Sequence, residues 1–334
     1  MTQTSKRISE LDALRGIAAL MVVLFHYTTR FETKFGGGFT IKPFDFPAGF
    51  YGVELFFIIS GFVIFMTVDK VKSGADFVKR RFVRLFPTFW LCILVTYTLV
   101  YFMGPATLQT DWQALVLNFT MIPKVFGVKM VDGVYWSLGV ELAFYTAMLV
   151  LIVTRLKTRI ELISAVVIAL LYAAALATRF SNWLYFGTLF VAGINFYKIW
   201  MGQGRPVHHF LLLSCLCFSF LSKENTLIFM TVVFYGLFYL LVYRKAGFLK
   251  ISFLMFLGEI SYAWYLLHQN LGHSLQLLLI HYKLTNYWLL LSLPLAFTIL
   301  LAYLVTEYFE KPVVRLLTTR LQVWSHKNKV VSGV

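Results

Sequence analysis

The stretch Leu11–Thr28, LDALRGIAALMVVLFHYT, decides how the rest of the chain is read. It is apolar enough to enter a bilayer, yet it carries two ionisable side chains, Arg15 and His26, which are costly to hold there. They stand eleven residues apart. At about 100° per residue this comes to roughly 20° after whole turns, so both lie on one helix face. At about 1.5 Å per residue they are separated by roughly 16 Å along the axis. The spacing therefore describes a reach between two levels of one helix.

Composition extends that reading to the whole chain. Of 334 residues, 59% are hydrophobic and only 13% charged, a balance that belongs to a polytopic membrane protein. Runs long enough to cross a bilayer fall near 11–29, 50–68, 85–103, 137–154, 160–177, 183–200, 207–221, 226–243, 253–275 and 287–306. The expected fold is thus all-α, a bundle of about ten transmembrane helices in a single domain over 1–334, with a short basic tail from about 311.

Charge sets the expected orientation. With the amino terminus inside, Lys6 and Arg7, the group Lys79, Arg80, Arg81 and Arg84, the segment around Arg155–Arg159, Arg244 and Lys245, and the tail with Lys327 and Lys329 all fall on the cytoplasmic side. The opposite segments carry far fewer, among them Lys42. That asymmetry fits an even number of spans with both termini cytoplasmic. The formal charge of +15 is then mostly a topology signal, and no nucleic-acid partner is needed to explain it. Cys92, Cys215 and Cys217 lie within apolar runs and suggest neither a disulfide framework nor a metal site.

Candidate chemistry lies on a few spans. Between the first two spans, Gly36-Gly37-Gly38 with Pro43 and Pro47 reads as an irregular loop. The second span opens with Gly52-Val53-Glu54-Leu55-Phe56-Phe57, where Glu54 should face the bundle interior, and continues into Ser60-Gly61-Phe62, read as a close-packing site. Arg81 and Arg84 share a face at the start of the third span, and paired guanidinium groups suit phosphates. The long segment Gly104–Trp136 is expected to fold partly over the outer face. On the fourth span Ser137, Glu141 and Tyr145 recur every four residues as a polar stripe, with Glu141 at about the level of His26. His268 lies in the outer half of the ninth span, either a structural histidine or a second catalytic group. Asp12, one turn from Arg15, is expected to pair with it. Spans five to eight say little about chemistry.

Taken together, the LDALRGIAAL opening of residues 11–20, the Arg15 to His26 spacing, Gly52–Phe57 with Ser60-Gly61-Phe62, Arg81 with Arg84, Trp136-Ser137-Leu138 with Glu141, and Ser261-Tyr262 with His268 resemble the membrane-bound acyltransferase family 3. The matches run in family order over nearly the whole chain. The resemblance implies an enzyme moving an acyl group, usually acetyl, from cytoplasmic acyl-CoA to a hydroxyl of a carbohydrate or other acceptor such as a lipid-linked glycan, in a bacterial inner membrane. Acetyl-CoA would be a substrate and no resident cofactor is expected. On that footing Arg15, Arg81 and Arg84 would hold the CoA phosphates and His26 would be the general base, since imidazole exchanges protons near neutral pH, with a transient acyl-His as the competing role. Glu141 would orient His26, while Glu54, Ser137, Tyr145 and His268 would bind the acceptor or support the site. The alternative class is a transporter or flippase in which Arg15, His26, Glu54 and Glu141 form a proton or substrate path.

Overall fold

The computed structural model describes residues 8–36 and 43–331, the last ten of these as backbone alone. Lys6, Arg7, Gly37, Gly38 and Lys42 lie outside the described residues, and Lys327 and Lys329 fall in the backbone-only stretch. The helices, in chain order, are α1 (Ser9–Phe25), α2 (Phe31–Phe35), α3 (Gly52–Val68), α4 (Gly74–Met103), α5 (Trp112–Asn118), α6 (Trp136–Val153) and α7 (Ile160–Thr178). They continue with α8 (Asn182–Lys198), α9 (Pro206–Ser219), α10 (Asn225–Val242), α11 (Ser252–His281), α12 (Tyr287–Val305) and α13 (Lys311–Val331). No strand occurs among the described residues.

Among the described residues, seven helical segments are long and apolar enough to cross a membrane: Ser9–Phe35, Pro47–Val68, Gly74–Met103, Gly133–Val153, Leu156–Thr178, Asn225–Val242 and Tyr287–Leu321. The three other runs expected from the sequence are also helical but differ in character. α8 has 17 residues and α9 has 14. α11 is 30 residues long, but its second half carries His268, Gln269, Asn270, His273, Ser274 and Gln276, all buried, which dilutes the apolar signal.

The chain divides into two compact units, with boundaries inside α6 and α11. The first comprises Met1–Arg30, Phe44–Ser73 and Val140–Ser261. Its centre is the crossing of α3 and α8, where each helix offers a glycine to the other's backbone. A Cβ on Gly61 would collide with the Phe190 carbonyl, and one on Gly193 with the Ile58 carbonyl. Small residues at such a crossing let backbones approach closely and gain packing contacts that lipid cannot replace. α1 leaves its α-helical register at His26, where a π-helical turn runs to Arg30.

The second unit comprises Phe31–Pro43, Gly74–Gly139 and Tyr262–Val334. At about 1.5 Å per residue, α4 is roughly 45 Å long. The segment after it, Gly104–Trp136, packs on α4. It turns back along α4: the Trp90 indole donates to the Phe119 carbonyl at 3.0 Å, and the Tyr135 ring packs on Phe89 at 5.2 Å, both near the middle of the helix. The physical reason lies in its polar fastenings. Asn118 bonds the Lys129 carbonyl and the Val131 N–H, the Asn270 amide donates to the Val131 carbonyl, and the Tyr135 hydroxyl donates to the Leu266 carbonyl at 3.1 Å. These bonds satisfy irregular backbone that would be too costly to bury bare.

Candidate active site

In the first unit, His26 is buried and opens the π-helical turn. Its Nδ1 lies 2.8 Å from the Val22 carbonyl. A carbonyl only accepts, so Nδ1 carries the hydrogen of this bond, and the lone pair of the neutral ring is on Nε2. Arg15, eleven residues earlier, lies 3.7 Å from Asp12, one turn back on the same face.

Glu141 receives its hydrogen bonds from hydroxyls. Ser60 donates to its Oε1 at 3.1 Å, and Tyr145, one turn on along α6, donates to the same oxygen. No hydrogen bond between Glu141 and His26 occurs among the described residues. The expected orienting contact is therefore not made in this conformation. The stripe of Glu141 and Tyr145 is present, and Ser60 belongs to it, although Ser60-Gly61 reads from the sequence as packing alone. Glu54, 2% exposed, accepts from the Tyr185 hydroxyl at 3.1 Å; nothing in the sequence singles out Tyr185.

In the second unit, Arg84 is ion-paired with Glu310 and stacked over the Tyr262 ring at 5.7 Å, while the Tyr262 hydroxyl donates to the Leu85 carbonyl at 3.0 Å. Arg81 lies over the Phe77 ring at 6.0 Å. Glu310 stands two residues before Pro312, and nothing in the sequence pairs it with Arg84, 226 residues away. The Ser137 hydroxyl, the Tyr265 hydroxyl and the Val134 carbonyl oxygen lie 2.8–3.1 Å from one another, and the two hydroxyl protons are shared among these three contacts. His268 is fully buried with Nδ1 2.8 Å from the Tyr265 carbonyl. Ser137 and His268 thus share a connection through Tyr265, and both are tied into the framework.

Asp132 escapes the sequence reading because it sits in an irregular segment rather than in a span. It is fully buried and accepts from the N–H groups of Asn270 at 2.8 Å and Val134 at 3.2 Å. Burial pushes its carboxyl up to about 7, against the lowering effect of those hydrogen bonds.

These features define a multi-pass helical membrane protein with a histidine, several carboxylates and an arginine pair on its helices. The family model described as Acyltransferase domain matches residues 8–307, and the chain belongs to this family, acyltransferase family 3. It is similar to the O-acetyltransferase OatA of Staphylococcus aureus, at 25% identity over 206 residues, covering 53% of this chain and 31% of that protein. It is also similar to the acyltransferase MdmB of Streptomyces mycarofaciens, at 27% identity over 147 residues, covering 42% of this chain and 38% of that protein. The match thus spans about a third of the length of each relative. No solved structure matches the chain.

Proposed function

We propose that the protein is a membrane O-acyltransferase that moves an acyl group, most simply acetyl, from cytoplasmic acyl-CoA to a hydroxyl of a carbohydrate or glycoside. A cell-surface polysaccharide or its lipid-linked precursor, met at a bacterial inner membrane, is the acceptor we favour. Family membership supports the acyl chemistry, and the relative named O-acetyltransferase supports oxygen as the acceptor atom.

The observation that carries the reading is His26. Its Nδ1 hydrogen is held by the Val22 carbonyl, which leaves Nε2 as the basic nitrogen, the arrangement a general base requires. In the proposed step Nε2 takes the acceptor's hydroxyl proton as that oxygen bonds to the thioester carbonyl carbon. The C–S bond then breaks, and the imidazolium returns the proton to the CoA sulfur. Glu141, in the same unit and fixed by Ser60 and Tyr145, supplies negative charge that favours the imidazolium. Arg15, Arg81 and Arg84 neutralise phosphates of the donor; Arg84 would exchange its Glu310 partner for phosphate in doing so. Glu54 and Tyr145 serve the acceptor, and Ser137 and His268 act as supports.

The test is donor binding and turnover by purified, detergent-solubilised protein with labelled acetyl-CoA. Wild type should bind and slowly hydrolyse the donor. His26→Gln should keep binding and lose hydrolysis, and the Arg81→Ala/Arg84→Ala pair should lose binding. Failure of wild type to bind acetyl-CoA or any longer acyl-CoA would overturn the reading and favour transport.

A further inference from the structure

α10 carries a second set of proton-exchanging groups that acyl transfer does not use. Thr231, Tyr235, Tyr239 and Tyr243 follow one another at four-residue spacing, drifting only about 40° per step, so their hydroxyls form one ladder along the helix. Most other α10 side chains are apolar.

At one end the ladder meets carboxylates. Glu224, exposed just before α10, accepts from the Tyr51 hydroxyl, and Glu224 and Glu54 are close enough to interact electrostatically. Glu54 lies 3.1 Å from the Tyr185 hydroxyl, which lies 2.5 Å from the Thr231 hydroxyl. At the other end the Tyr239 hydroxyl is 3.2 Å from Nδ1 of His209, and the Tyr239 ring stacks on that of Tyr243, which is 54% exposed. Between these ends stands Tyr235, 4% exposed, whose hydroxyl has no hydrogen-bond partner among the described residues. A buried hydroxyl left in that state is unfavourable. It lies one turn from Thr231 and one turn from Tyr239. The backbone rises about 6 Å along the axis at each step, and no direct hydrogen bond joins the Tyr235 hydroxyl to either neighbour, so water must bridge them if they exchange protons.

We infer that this first-unit chain, Glu224, Tyr51, Glu54, Tyr185, Thr231, Tyr235, Tyr239 and His209, is a proton path along α10, completed by water between Tyr51 and Glu54 and on either side of Tyr235. At each hydroxyl one O–H bond forms as a proton arrives and another breaks as the group's own proton passes on. Each residue therefore ends chemically unchanged and resets by rotation. The carboxylates and His209 are the relay's titratable ends. Because α10 is itself one of the helices able to cross a membrane, the path links the end bearing Glu224 with the end bearing Arg244 and Lys245. It shares Glu54 with the proposed acceptor site but does not otherwise depend on the acyl-transfer assignment.

The test is proton flux into proteoliposomes holding an internal pH dye, driven by a valinomycin-clamped potassium gradient, without acyl-CoA. Wild type should acidify the lumen about tenfold faster than protein-free vesicles, as expected for a path that removes the hydrocarbon barrier to a charge. Tyr235→Phe, which keeps the ring and deletes only the unpartnered oxygen, should fall to the protein-free rate. Thr231→Val, which preserves shape, should do the same. Tyr172→Phe, whose hydroxyl bonds the Ser214 carbonyl away from the ladder, should match wild type. A wild-type rate equal to that of protein-free vesicles overturns the inference, and so does a Tyr235→Phe protein that conducts like wild type.

Discussion

Replacing Arg84 with methionine should destabilise the protein far more than replacing Glu310 with glutamine. The two form one ion pair, but its halves are buried unequally: 41% of the Arg84 side chain is exposed against 5% for Glu310. Removing the arginine strands a carboxylate in the interior, with one oxygen already lacking a partner. Removing a partner from a buried pair costs about 3–5 kcal/mol. Removing the glutamate charge instead leaves a half-exposed guanidinium that water can solvate, for which about 0–1 kcal/mol is appropriate. The double variant Arg84→Met/Glu310→Met, with neither charge left, should return close to wild type. With a melting entropy of about 2.1 cal/mol/K per residue, 3 kcal/mol corresponds to roughly 4 °C in a chain of this length. Thermal unfolding in detergent, followed by tryptophan fluorescence, measures all four proteins. Donor binding separates stability from function: the double variant should recover its melting point and still fail to bind acetyl-CoA, while Glu310→Gln should bind it. Equal losses from the two single changes, or a double variant no better than Arg84→Met, would refute the reasoning.

Ser60→Ala and Tyr145→Phe each delete one hydroxyl donor to Glu141. A hydrogen bond to a charged group is worth about 1.5–3 kcal/mol, so each change should slow acyl transfer by about tenfold or more while leaving donor affinity unaltered; a change confined to the donor KM would tell against the assigned role. Gly61→Val should prevent accumulation of folded protein, because its Cβ meets the Phe190 backbone, whereas Gly187→Ala meets only the movable end of Leu171 and should be tolerated. Asp132 supplies the pH dependence. Its carboxyl is raised from 3.8 to about 7 in the folded protein, so its contribution to stability is fully present below pH 3.8 and is lost as the pH rises through 7. Asp132→Asn should flatten the melting-point profile across that interval, and parallel wild-type and variant profiles would count against the assignment.

The sequence carried the helical class and the residues that are expensive in a membrane, because apolar length and intramembrane charge are local properties. It carried partnerships only where the partners were a turn apart: Asp12 with Arg15, and Glu141 with Tyr145. Ser60 with Glu141, Tyr185 with Glu54, and Glu310 with Arg84 join residues 81 to 226 positions apart. Helical period says nothing about which faces of distant helices meet. The packing of the segment after α4 was illegible for a related reason: irregular sequence signals a loop, while its return along α4 depends on Trp90, Asn270 and Leu266, none of which belongs to it. The α10 ladder was visible as spacing but was submerged in an apolar span, since tyrosine reads as packing until the environment of its hydroxyl is known.

The π-helical turns bear directly on the proposed chemistry. A turn that adds one residue to a helix leaves backbone groups for side chains to use and occurs often at functional positions. At His26 the Val22 carbonyl receives both the backbone N–H and the Nδ1 hydrogen, and the Thr28 hydroxyl takes the Leu24 carbonyl at 2.7 Å. The backbone thereby fixes which ring nitrogen can act as base, without a carboxylate bonded to Nδ1. Because His26 is the first residue of the turn, the eleven positions from Arg15 retain their α-helical register, and the shared face inferred from spacing survives. In the second unit the turn Thr306–Glu310 ends on the carboxylate that holds Arg84. The added residue sets where that carboxylate points, and hence the partner that a donor phosphate would have to displace in the proposed reaction. In each unit, then, irregular helix governs the state of the group on which the proposed reaction depends: the proton-bearing nitrogen of His26 and the charge partner of Arg84.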